Sequence, residues 1–429
     1  MSKIIDIKAR YILDSRGNPT IEADVILSNN MIGRASVPSG ASTGHFEALE
    51  LRDQDNSFNG KHVLRAINNI IYHIKPLLLD MDINDIRAID DKMIQADGTD
   101  NKNKFGANAI LAVSLASLRA AANNQKLDLY EYINKIYPSK MSLPIPMMNI
   151  LNGGSHADNT LDIQEFMIYP TGFNTFHEAI QAGTEIFHKL KMILKRKGYN
   201  TAIGDEGGFA PSLKRNEEAL ELILEAIHHS GYKLNDQILL ALDVAASEFY
   251  NKKTEMYELK SEDKKLSAVE LIDYYDNLCN KYPIVSIEDP IFENDWDGWQ
   301  LMLKKMGHKI QIVGDDLTVT NPDRLKHAIS HKAINAILIK LNQIGSFTET
   351  METIDIAKKN NLGYIISHRS GETEDTIISD LAVACNAGQI KTGSLCRTDR
   401  TAKYNQLLRI NEAEDIPFAD LNYIKCEKK

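Results

Sequence analysis

The chain has 429 residues, 43% of them hydrophobic and 25% charged, enough length and apolar content for two domains with a sizeable core, which excludes a disordered protein. Lys and Arg total 49 against 59 Asp and Glu, a net charge of -10. That balance leaves no footprint for nucleic acid or an anionic membrane, and an anionic substrate must meet local positive charge.

The first forty residues alternate apolar and polar (Ile5, Ile7, then TIEADVIL at 20–27) with Gly-Asn-Pro and Ser-Asn-Asn at the breaks, which predicts a short antiparallel meander. Apolar residues at three- and four-residue spacing predict helices over 63–79 and 108–122. Together these make a small α+β domain. Prolines at 138, 144 and 146 interrupt the helical pattern, and a domain boundary is expected there, giving 1–137 and 138–429.

Beyond the boundary, short apolar strands alternate with amphipathic helices: ILLALD (238–243), PIVSIED (283–289), IQIVGDD (310–316), AILIK (336–340), GYIISH (363–368) and GQIK (388–391). Asn321-Pro322 reads as a helix start, and Thr348 as the cap of the helix carrying Met351, Ile354 and Ala357. Strand starts recur at roughly 25 residues over the last four units, the length of a strand, a helix and two loops. The pattern is that of a parallel α/β sheet or barrel. The four cysteines, Cys279, Cys385, Cys396 and Cys426, show neither zinc-site spacing nor the density of a disulfide scaffold. With no apolar run of membrane-spanning length and an N-terminus broken by charges, a cytoplasmic location is expected.

Each of those strands ends in a polar residue: Asp243, Glu288, Asp315, Lys340, His368 and Lys391. In a barrel all carboxyl ends open on one face, so these side chains would converge. Three carboxylates on successive strands repel one another unless a cation sits among them, and oxygen-only ligands point to Mg²⁺ or Mn²⁺. Lys340 is either their counter-ion or a base. Lysine ordinarily titrates near about 10.4, and burial beside a dication would favour the neutral amine that can take a proton from a carbon next to a carboxylate.

Three loops complete the picture. GDEGG (204–208) would carry Glu206 as an acid opposite that base. VPSGASTGHFEALELRD (37–53) is not a P-loop, but its small residues suit a lid that brings Ser42 to a metal. In SHRSGETEDT (367–376), Arg369 and Ser370 lie where a helix is expected to begin, a favourable place for a phosphate, with Lys391 adding charge.

The ordered set DSRGNPT (14–20), SGASTG (39–44), KFGANAILAVS (104–114), NGGSHADN (152–159), DIQEFM (162–167), GDEGG (204–208), SIEDP (286–290), GDDLTVTNP (314–322), ILIKLNQIG (337–345), SHRSGETEDT (367–376) and QIKTGS (389–394) resembles the enolases, or phosphopyruvate hydratases, over nearly the whole chain. The resemblance implies a smaller α+β domain followed by a modified eight-fold α/β barrel whose early strands depart from strict alternation. It also implies a homodimer and reversible dehydration of 2-phosphoglycerate to phosphoenolpyruvate.

By that resemblance Asp243, Glu288 and Asp315 would hold a structural Mg²⁺, and Ser42 a second Mg²⁺ that enters with substrate. Lys340 would remove the C2 proton. Glu206, helped by Glu165, would protonate the departing 3-hydroxyl. His156, His368, Arg369, Ser370 and Lys391 would position phosphate and carboxylate, with Gln164 near the metal. Val244, Gln54 and Leu341 depart from the usual family residues without removing a reacting group.

The alternatives are a scaffold role of the same fold, with a partner such as an RNA-processing assembly or a cell-surface pool, and a related barrel that enolises a substrate without phosphate. The intact acid, base and ligand set argues against the first as a replacement for catalysis. The phosphate residues argue against the second.

Overall fold

The computed structural model describes residues 2–40 and 44–425. Ser42, Cys426, Lys428 and Lys429 lie outside them. The alternating N-terminal segment forms β1 (Ile4–Leu13), β2 (Pro19–Leu27) and β3 (Ile32–Ser36), an antiparallel meander with Ile7, Ile21, Ala23 and Val25 buried. The helix Ala107–Gln125 packs on it and is buried along nearly its whole length, which is why its sequence is apolar on every side. Its backbone comes so close that a Cβ on Gly33 would stand 2.1 Å from Ala116 O and Ala120 N.

The helix expected over 63–79 runs as Leu64–Asn69, a π-helical turn Ile70–Ile74, and Lys75–Leu78. The wide turn precedes Pro76, which has no N–H for the carbonyl four residues back. The helix Leu129–Ile136 closes the N-terminal part.

The second part is an α/β barrel. β4 (Ile145–Asn152), β5 (Glu165–Pro170) and β6 (Ile238–Asp243) are its first three strands. A small antiparallel sheet outside the barrel follows, β7 (Tyr250–Asn251), β8 (Met256–Leu259) and β9 (Lys264–Leu266). The remaining staves are β10 (Ile284–Glu288), β11 (Gln311–Gly314), β12 (Ala336–Ile339), β13 (Gly363–Ser367) and β14 (Gln389–Lys391). They close in the order β10-β11-β12-β13-β14-β4-β5-β6.

Seven staves are mutually parallel where they meet, while β5 is antiparallel to both β4 and β6. No helix lies between β4 and β5 beyond a short 3₁₀ turn, and two, Phe176–Arg196 and Asn216–His229, lie between β5 and β6. An antiparallel neighbour needs no crossover helix, so strict alternation begins only at β6.

Two local expectations resolve differently. Asn321 does cap the helix Pro322–Ser330, accepting from the N–H groups of Asp323 and Arg324. The helix Phe347–Lys359, however, is capped by Ser346, whose side chain accepts from Glu349 N, and not by Thr348. Gly345, left-handed at φ 90°, ends the preceding turn and sets the start two residues earlier; the Thr348 N–H is inside the helix and donates to Asp90.

Inside the barrel, Ile145, Met147, Met167, Leu239, Ala241, Val313, Leu338 and Ile365 form an apolar plug. At its amino-terminal end Gln311 and Gln389 exchange side-chain hydrogen bonds, and Tyr169 Oη donates to Gln389 at 2.7 Å. The plug closes one end of the barrel and leaves the carboxyl ends as the face where a site can form.

Gly33→Ala should force the helix away from the meander and lower stability by about 1–3 kcal/mol. A urea midpoint equal to that of the unaltered protein would show that the contact yields at no cost.

Candidate active site

The barrel register brings the polar strand ends together. Asp243, Glu288 and Lys391 are the last residues of β6, β10 and β14, while Asp315, Lys340 and His368 each stand one residue beyond β11, β12 and β13. Because β5 runs the other way, its first residue, Glu165, arrives at the same mouth, paired with Asn152 and Asp243. His156 comes from the β4–β5 loop and Glu206 from the glycine-bounded turn between the two helices that follow β5. Glu288 apart, these groups, with Gln164, Asp289, Asp316, Arg369 and Ser370, line one cleft.

Lys391 is the hub. Its ammonium lies 2.9 Å from Asp243 Oδ2, 2.9 Å from Glu288 Oε2 and 3.2 Å from Glu165 Oε1. Burial opposes its charge, but Asp243, Glu165 and Glu288 raise its pKa well above the usual lysine range. Burial, then crowding by Asp243, pushes Glu288 well up, whereas Asp243 is drawn down by Lys391 against its own burial.

Lys340 pairs with Asp315. Burial disfavours its ammonium, yet Asp315, with Glu288 behind it, outweighs burial and raises the pKa. Among the protein groups themselves Lys340 is therefore held as an ammonium; the neutral amine expected from sequence is that of the site with a dication beside it. The Coulomb attraction of a buried carboxylate in contact is stronger than the desolvation penalty here.

The acid side is a second cluster. One ligand-type atom each of His156, Glu165 and Glu206 lies within 4.8 Å of the others. Glu206 Oε2 accepts from Asn149 Nδ2 at 3.1 Å and lies 3.3 Å from His368 Nε2. Burial raises Glu165 strongly, with Glu206 next to it adding to the effect. Glu206 goes the other way: burial is outweighed by His368, His156 and Arg400, and its pKa falls well below the usual carboxyl range. The two carboxyls thus diverge, Glu165 toward its protonated form and Glu206 toward its ionised form.

Arg369 makes a two-point ion pair with Glu47, at 2.9 and 3.1 Å, and donates to Asn342 Oδ1 at 3.0 Å. It does not sit at a helix start as expected. The next helix is Ile377–Ala384, and residues 368–376 form a loop pinned by Glu372, which accepts from Arg369 N and from Lys403 Nζ. Any anion bound by Arg369 and Ser370 meets side chains rather than a helix terminus.

Could the acids hold a metal? Asp289, Asp315 and Asp316 form a second group with ligand-type atoms within 4.8 Å of one another, and burial plus mutual repulsion raises Asp289 and Asp316 well above the usual range. Near Asp243, the buried Gln164 Oε1 and Glu165 Oε2 have no hydrogen-bond donor among the described residues. A donor set of crowded carboxylate and amide oxygens fits a hard cation.

Several members were not evident from sequence. Glu47 and Gln343, which donates to Asp315 Oδ1 at 2.8 Å, sit inside quoted motifs, three residues past Gly44 and Lys340. Asp289 and Asp316 directly follow expected ligands. Asn149 and Arg400 carry no local signal.

Two family profiles match the chain. The one described as the enolase N-terminal domain covers residues 4–133, and the one described as the enolase C-terminal TIM barrel domain covers residues 140–424.

His368, with its pKa lowered to about 3 by burial, should stay neutral in the folded protein. The unfolded chain then binds more protons below about pH 6.5, so this residue's share of stability is present at neutral pH and is lost as pH falls toward 3. His368→Gln should flatten the acid limb of the stability curve between about pH 6.5 and 4. An unchanged limb in urea titrations at stepped pH would contradict the assignment.

Proposed function

The chain belongs to the enolase family, and from that premise we propose that it catalyses the reversible dehydration of 2-phospho-D-glycerate to phosphoenolpyruvate. The observation that carries the reading is one cleft holding a buried lysine at a strand end, a buried Glu pair whose pKa values diverge, and Arg369 with Lys391 beside a crowd of carboxylates.

Asp243, Glu288 and Asp315 would hold one Mg²⁺, with Gln164 beside them, and Ser42 would help hold a second that enters with substrate. Bound there, the dications would stabilise the negative charge that gathers on the substrate carboxylate. Competition from such charge would loosen Asp315's grip on Lys340 and favour the free amine.

Lys340 then takes the C2 proton, and the electron pair left behind is delocalised into the carboxylate. That pair next forms the C2–C3 double bond as the C3–O bond breaks, and Glu206 delivers a proton to the departing hydroxyl, which leaves as water. Glu165, the better proton holder of the pair, and His156 support Glu206. Arg369, Ser370, His368 and Lys391 orient the phosphate and carboxylate, so that reaction begins from an aligned complex.

The assay is the ultraviolet absorbance of phosphoenolpyruvate formed from 2-phosphoglycerate. Activity should require Mg²⁺, vanish with chelator, and fall by about 10²–10⁴-fold in Lys340→Ala while the fold is kept. A folded, Mg²⁺-supplied protein without activity, or a Lys340→Ala variant at the original rate, would overturn the proposal.

We further propose a cytoplasmic homodimer. Ile5, Tyr11 and Leu13 stand about half exposed on β1, apolar surface that a second copy would cover. Sedimentation should give twice the chain mass; a monomer at micromolar concentration would exclude it.

A further inference from the structure

Arg400 has no part in the roles above, yet it is fully buried in the first turn of the helix Thr398–Ala413 and reaches the back of the cleft. Its guanidinium donates to three backbone carbonyls, Arg369 O and Ser370 O at 2.6 Å and Asp205 O at 3.2 Å. It thereby ties the loop carrying Glu206 to the loop carrying Arg369. The same group touches His368 Nδ1.

Chemistry fixes the direction of that last contact. A guanidinium has only donors and does not lose its proton in proteins, so the nitrogen it meets must accept. His368 Nδ1 therefore carries a lone pair, and in a neutral ring the proton must be on Nε2. Nε2 is the atom 3.3 Å from Glu206 Oε2, within reach of it but with no well-aligned hydrogen bond formed. The ring is neutral because burial holds its pKa at about 3.

We propose that Arg400 is a positioning residue that fixes His368 as the Nε2–H tautomer, so that His368 turns an N–H and not a lone pair toward Glu206 Oε2. With Asn149 donating to the same oxygen at 3.1 Å, Oε2 is committed as an acceptor. Oε1 is left to carry the proton that moves. The opposite tautomer would set the Nε2 lone pair against the carboxylate, and a proton on Oε2 would then be drawn toward the imidazole and away from substrate. In the Ser-His-Asp triad a wrong histidine tautomer lowers kcat by about 10⁴-fold with the geometry intact, which shows the scale such an error can reach.

The kinetic consequence rests on the dehydration reading, but the tautomer does not. The experiment is nitrogen NMR of the full-length protein labelled with ¹⁵N in histidine, the His368 signals being those lost in His368→Gln. The unaltered protein should show a protonated Nε2 and an unprotonated Nδ1. A proton on Nδ1, or on both nitrogens near neutral pH, would overturn the proposal, whether or not the protein turns over 2-phosphoglycerate.

Arg400→Gln should convert His368 wholly or partly to the Nδ1–H form and lower kcat at least about tenfold, with a smaller change in KM. Retention of the Nε2–H form in that variant, or a KM effect with kcat preserved, would assign Arg400 to loop anchoring alone. If Arg400→Gln does not fold, the spectrum of the unaltered protein still decides the tautomer.

Discussion

One buried ammonium organises the mouth of the barrel. Lys391 reaches three carboxylates from three other strands, Asp243, Glu288 and Glu165, at a place almost closed to solvent. Removing one partner of such a buried pair leaves an uncompensated charge and typically costs about 3–5 kcal/mol. Two other cationic side chains are likewise committed, Lys340 to Asp315 and Arg369 to Glu47. Each cation of the site is thus already paired, and an anion drawn to one of them competes with a carboxylate of the protein.

Whether that set can form depends on strand direction. Were β5 parallel to its neighbours, Glu165 would lie at the closed end of the barrel, near the Gln311–Gln389 pair, and could touch neither Lys391 nor His156. Reversing one strand delivers a carboxylate to the mouth without lengthening the chain, and removes the need for a helix between β4 and β5. The freed connection, residues 153–164, supplies His156 and Gln164. The polar pair at the far end, satisfied by Tyr169 and by the carbonyl of Tyr423, seals that end, so the cleft opens on one side only.

Much of this arrangement was legible along the chain. Strands that end in Asp243, Glu288, Asp315, Lys340, His368 and Lys391 announce themselves, because apolar runs stop at a polar residue with a period of one strand and one helix. The boundaries missed have simple causes. Thr348 and Ser346 are both competent caps, and the left-handed Gly345 chose between them. Arg369 and Ser370 resemble a helix start in composition, but the Arg369 N–H donates to Glu372 in a loop, and the helix begins only at Ile377. Asn149 and Arg400 lie in a strand and a helix with no marker of function, since what gives them meaning is the atom they meet across the fold.

Sequence by itself determined the class of the fold, the residues at the strand ends and the family, because periodicity and ordered motifs are local properties of the chain. It also set the inventory of acids, bases and cations. Tertiary structure alone decided which of them touch, and hence their charge. Lys340 is an ammonium among the protein's own groups because Asp315 reaches it, and Glu165 and Glu206, alike as free side chains, part because His368, His156 and Arg400 gather around Glu206. Coulomb energies vary with ångström distances and burial, and neither is written in the order of residues.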